Sequence, residues 1–118
     1  MGLLDKLRGP SAAASFGWLE TDDLSGLLDS ASPPLLIDVR EPAEYTGPLG
    51  HIETARNIPL GDIATRAADL LAERRPLVLV CHTDRRSAAA AEQLARAGGT
   101  DIRVLRGGMV GWRSRRVD

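Results

Sequence analysis

The sequence predicts an α/β domain in which a mainly parallel, five-stranded sheet carries helices on both faces, a three-layer sandwich. Three observations lead there. The runs Leu35-Leu-Ile-Asp-Val39 and Leu77-Val-Leu-Val-Cys81 are of strand length and almost wholly apolar, the pattern of strands buried on both faces. Segments with helical spacing separate the strand-like runs, as parallel sheets require. The 118 residues, 43% hydrophobic and 26% charged, have the size and composition of one domain around one core, which argues against a two-domain enzyme with a cleft between halves and against disorder over most of the length.

In chain order, residues 1–15 join a short Leu3/Leu4/Leu7 turn to Pro10-Ser-Ala-Ala-Ala-Ser15 and lack the length to bury a core face, so a flexible arm is expected ahead of a domain at residues 16–118. Residues 16–20 read as a short first strand. Thr21, followed by Asp22 and Asp23, reads as the N-cap of a helix running to about Ser30. Pro33-Pro34 ends that turn and the first buried strand follows. Residues 40–45 form a short helix with Pro42 tolerated in its first turn, and Gly47, Pro48 and Gly50 form a loop. A brief strand is expected at residues 55–60. Ile63, Ala67, Leu70 and Leu71 keep helical spacing over residues 62–75 until Pro76 breaks it. After the second buried strand come an Ala-rich helix at residues 87–97 stopped by Gly98-Gly99, a strand at 102–105, and Gly107-Gly108 leading into a short helix that holds Trp112 as a core lid.

Composition removes several functions. Aromatic residues are 3% of the chain, too few for a base-stacking platform, and a net charge of −1 lacks the basic excess of a phosphate-backbone binder, so nucleic acid is not the expected partner. The charge is unevenly spread, with eight acidic residues against one basic between Glu20 and Glu53 and five Arg against two Asp from Asp101 onward. No stretch approaches the ~20 apolar residues of a membrane span, and the charged first ten residues do not read as a secretory signal. Cys81 is the single cysteine, so neither an internal disulfide nor a thiolate zinc site is possible, and a cytoplasmic location is expected.

Chemistry concentrates in Val80-Cys81-His82-Thr83-Asp84-Arg85-Arg86-Ser87-Ala88. A cysteine at a strand end, followed by a loop and a helix N-terminus, meets unpaired backbone N–H groups and the positive end of a helix dipole, which favour a nucleophilic thiolate. Cys81 is therefore the candidate catalytic residue. The loop residues His82, Thr83, Asp84 and Ser87 are candidate substrate contacts. Arg86 is spaced to close the loop as a clamp for an anionic substrate, and Arg85 reads equally as a donor-steering group or a solvated charge. Asp38 and Arg40 read as structural, with Arg40 close to the substrate if the two apolar strands are neighbours. With His51 the only other histidine, no metal site is apparent, and neither glycine pair forms a phosphate-binding motif.

Leu36-Ile-Asp-Val-Arg40-Glu-Pro-Ala-Glu44-Tyr45, Gly50-His-Ile-Glu-Thr-Ala-Arg-Asn57-Ile-Pro59, Cys81-x4-Arg86-Ser87 and Arg106-Gly-Gly-Met-x-x-Trp112 follow one another in the order and spacing of a known family. Over roughly Trp18 to Trp112 the chain resembles the single-domain rhodanese sulfurtransferases. The resemblance implies a rhodanese-like fold and a ping-pong reaction without metal or organic cofactor. In it Cys81 takes sulfane sulfur from an anionic donor such as thiosulfate, and the resulting persulfide gives it to cyanide or a thiol, including a protein thiol. Two alternatives share the fold: an interaction or sulfur-carrier module without turnover, and an arsenate reductase or phosphatase, whose related loops are one residue longer.

Overall fold

A computed structural model describes residues 15–115. The arm expected at residues 1–15 falls, apart from Ser15, outside the described residues. In chain order the elements are β1 (Gly17–Leu19), α1 (Thr21–Leu28), β2 (Leu35–Asp38), α2 (Pro42–Tyr45), β3 (Arg56–Asn57), α3 (Leu60–Ala72), β4 (Leu77–Val80), α4 (Arg85–Arg96), β5 (Ile102–Leu105) and α5 (Gly108–Ser114). The five strands form one parallel sheet in the order β1-β5-β4-β2-β3, so β4 is central and the two apolar strands are neighbours, with Leu35 opposite Leu77 and Asp38 opposite Val80.

Successive strand residues point to opposite faces, and both faces are covered, which is why β2 and β4 are apolar throughout. Leu35, Ile37, Leu77 and Leu79 pack with Ile63, Ala67 and Leu70 of α3 and with Ala90, Ala91 and Leu94 of α4. Leu36, Val78 and Val80 pack on the other face with Leu24 of α1 and with Met109 and Trp112 of α5. Cys81 continues the β4 alternation onto the α3/α4 face.

Several boundaries differ from the expected ones. Thr21 is the first residue of α1 rather than its cap; Glu20 stands at the N-cap without a side-chain bond. Helix α3 starts at Leu60, directly after Pro59, because the fixed proline φ makes an extended cap just ahead of the first turn. Helix α4 starts at Arg85, so both loop arginines lie in its first turn. No helix among the described residues is long and apolar enough to cross a membrane.

Candidate active site

Cys81 follows the last residue of the central strand, and its side chain is buried. The sulfur has two close polar neighbours, both from Ser87. The Ser87 backbone N–H donates to Sγ at 3.3 Å, and Ser87 Oγ lies 3.2 Å from Sγ. Ser87 is itself 0% exposed, so its hydroxyl faces the sulfur and not a substrate contact surface as its place in the loop suggested.

The loop after β4 is held from outside by α5. The amides of Met109 and Val110 donate to the carbonyls of Cys81 and His82 at 2.8 and 3.1 Å. In a trans peptide the carbonyl and the following N–H point in opposite directions, so the amides of His82 and Thr83 point away from α5. Among the described residues, the five backbone amides from His82 to Arg86 donate to no protein acceptor. Gly108 makes this packing possible: at φ +55° it occupies the left-handed region, and a Cβ there would stand under 3.0 Å from the carbonyl oxygens of Cys81, His82 and Thr83. In the sequence the Gly107-Gly108 pair reads only as a turn; the close backbone approach has no local signature.

Of the three arginines considered for the substrate, Arg86 and Arg40 are occupied by protein acceptors. Arg86 Nη1 and Nη2 donate to Glu44 Oε1 and Oε2 at 2.7 and 2.9 Å, a bidentate pair in which both side chains are about a third exposed. Hydrogen bonding from Arg86 holds the Glu44 carboxyl down to about 2, against burial that raises it, and the same bond raises Arg86. Glu44 Oε1 also accepts from the Glu41 amide at 3.0 Å, which anchors the carboxylate on α2. Arg86, expected to clamp a substrate anion, is held instead by Glu44, a partner 42 positions away that leaves no local pattern in the sequence.

Arg40 is structural, as its place beside Asp38 suggests. It is 1% exposed; its Nε and Nη2 bind Asp38 at 2.9 and 2.7 Å, and its remaining bonds go to the carbonyls of Glu44 and Gly50 at 3.1 and 2.6 Å. With its donors turned to protein acceptors, Arg40 ties down the loop after β2 instead of reaching a substrate. His82, Thr83 and Arg85 are exposed and Asp84 half-buried around the loop. His51 lies elsewhere, stacked on Tyr45 at 3.7 Å with Nδ1 2.9 Å from the Tyr45 carbonyl. No group of three His, Cys, Asp or Glu side chains among the described residues could hold a metal ion. A cleft of about 820 Å³ lies at the opposite end of the sheet, lined by Leu71, Ala97, Gly98 and Ile102 among others, and no residue of the Cys81 loop lines it.

A buried strand-end thiol, a run of unpaired amides after it and an arginine closing the loop also lie within the reach of a family model, the rhodanese-like domain, that matches residues 20–115. The chain belongs to the rhodanese-like domain family. It is similar to the uncharacterised protein YqhL of Bacillus subtilis, with 44% identity over 77 residues, 65% of this chain and 59% of that protein. Thiosulfate sulfurtransferase GlpE of Pseudomonas paraeruginosa is 38% identical over 81 residues, 67% of this chain and 69% of that enzyme. Among solved structures, a human single-domain sulfurtransferase superposes with a TM-score of 0.72 at 24% identity, covering 87% of this chain and 100% of that one, which bears on the fold alone. This rhodanese-like domain thus spans less than two thirds of the length of YqhL.

Proposed function

We propose that this rhodanese-like domain is a sulfurtransferase that carries sulfane sulfur as a persulfide on Cys81, taking it from a small anionic donor such as thiosulfate and passing it to cyanide or a thiol. The observation that carries the proposal is the pairing of the Cys81 sulfur with the Ser87 N–H and hydroxyl next to five unpaired amides. In the first half of the cycle the Cys81 thiolate attacks the outer sulfur of thiosulfate. The donor S–S bond breaks, sulfite leaves with its electron pair, and the negative charge resides on the new terminal sulfur. In the second half an acceptor thiolate or cyanide attacks that sulfur, and Cys81 leaves as thiolate. Donors preplaced where charge develops need no reorganisation during the reaction, and backbone amides serve this purpose on a loop fixed by α5. The exposed Arg85 is the cation open to an incoming anion, since Arg86 is engaged by Glu44. A reducing compartment such as the cytoplasm suits a lone thiol with this role.

The test is Cys81→Ser, which keeps the shape but replaces a thiolate by a far weaker nucleophile. Transfer from thiosulfate to cyanide should vanish with circular dichroism unchanged, and the wild type exposed to thiosulfate should gain one sulfur, about 32 Da by mass spectrometry. Retained transfer in the variant would refute the carrier role of Cys81. Cys81-dependent hydrolysis of p-nitrophenyl phosphate by the wild type would move the domain to a phosphatase reading instead.

A further inference from the structure

Ser87 Oγ lies 3.2 Å from Cys81 Sγ and 3.2 Å from the carbonyl oxygen of Asp84. A serine hydroxyl has one proton, so it donates to one of these acceptors at a time. With Cys81 as a neutral thiol, the S–H donates to Ser87 Oγ and the hydroxyl donates to Asp84. With Cys81 as a thiolate, the stronger acceptor is the sulfur, and the hydroxyl turns to it beside the Ser87 N–H that already points there. The side chain is fully buried, so water does not compete for that proton.

We propose that the Ser87 hydroxyl stabilises the Cys81 thiolate both before it attacks the donor and as it leaves the persulfide, while the unpaired amides of the loop hold the persulfide in between. The inference rests on the persulfide reading above. Once the outer sulfur is attached, Sγ is a neutral bridging atom and the charge has moved one bond away, past the reach of Ser87. The hydroxyl then returns to the Asp84 carbonyl, the first acceptor ahead of α4, and the charge meets the amides from His82 to Arg86, which lack protein acceptors. The change of partner needs only rotation about the Ser87 side-chain bonds, with no movement of the backbone.

The experiment measures the two half-reactions separately in wild type and Ser87→Ala. Alanine is the better helix former, so α4 and the thermal midpoint should be retained. Persulfide formation from thiosulfate should slow by about tenfold, the value of one hydrogen bond to a charged group, and iodoacetamide alkylation of the sulfur-free enzyme should slow to a similar extent. Discharge of the preformed persulfide to cyanide, in which Cys81 leaves as thiolate, should slow as well, by up to about tenfold. Slowing of transfer without slowing of alkylation would mean Ser87 only shapes the loop, and no slowing of any of the three rates would mean it does not bond the thiolate; each overturns the proposal. Absence of any persulfide in the wild type would instead remove the underlying reading, and the alkylation rates would still decide whether the hydroxyl supports the thiolate.

Discussion

The loops after β2 and β4 leave neighbouring parallel strands at the same end of the sheet, yet one is closed and the other open. After β2, Asp38 is saturated by the Arg40 amide and guanidinium, and Asn57 Nδ2 donates to the carbonyls of Asp38 and Arg40 at 3.0 and 2.9 Å. After β4, the carbonyls of Cys81 and His82 are bound by α5, while the amides that follow are left without protein acceptors. Each loop also has its guanidinium–carboxylate pair: Arg40–Asp38, with both side chains almost wholly buried, and Arg86–Glu44, with 34% and 36% exposure. Burial separates their roles. A fully desolvated pair cannot open without leaving a bare charge in low dielectric, whereas a half-solvated pair can exchange its partner for water or a ligand.

The largest effect should come from breaking the closed loop. Arg40→Ala leaves Asp38 buried and uncompensated, and urea unfolding should show a loss of about 3–5 kcal/mol. Replacing both charges by apolar residues of similar volume should cost clearly less than the sum of the single losses. An Arg40→Ala domain as stable as the wild type would show that burial does not separate the two pairs.

Next comes the open loop, through its brace. Gly108→Ala has to displace the loop carbonyls, so sulfur transfer should fall by about two decades, with a stability cost of about 1–3 kcal/mol for the strained backbone. Gly107 shares a positive φ, but a Cβ there would meet nothing nearer than 3.4 Å, and asparagine tolerates that region. Gly107→Asn should therefore keep most of the activity, and equal losses in the two variants would deny Gly108 its special contact.

How much of this was legible in the sequence divides along the same line. Strands β2 and β4 were readable because burial on both faces leaves a continuous apolar run, and the strand-end position of Cys81 follows from that alone. Helix α4 starts two residues ahead of the expected Ser87 because the alanine run marks only its body, and Asp84, its N-cap, makes no side-chain cap bond. The Glu44–Arg86 pair and the approach of Gly108 to the Cys81 loop join positions far apart in the chain, and no local periodicity encodes them.

The smallest expected effect concerns the half-exposed pair. The folded-state carboxyl of Glu44, at about 2, lies below its ordinary 4.5, so its contribution is full above about 4.5 and fades as pH falls through 2. At this exposure, solvent screening keeps that contribution below about 1 kcal/mol. Glu44→Gln should flatten this part of the acid-unfolding profile and, by freeing the Arg86 fork, lower the KM for thiosulfate by about threefold. A KM that rises would show that Glu44 orients Arg86 toward the donor instead of withholding it.

The brace supplied by α5 also sets an order of assembly. Ribosomal synthesis delivers Cys81 before Gly107 and Gly108, so on a nascent chain the thiol exists before the helix that binds its loop carbonyls. The left-handed pair at Gly107 and Gly108 turns the chain from β5 into that helix and brings Met109 and Val110 onto the loop. The same docking buries Met109 and Trp112 against the sheet. Closing the hydrophobic face and shaping the sulfur site are consequently one event, and a chain that has not completed its core has a cysteine without the loop geometry described for the folded domain.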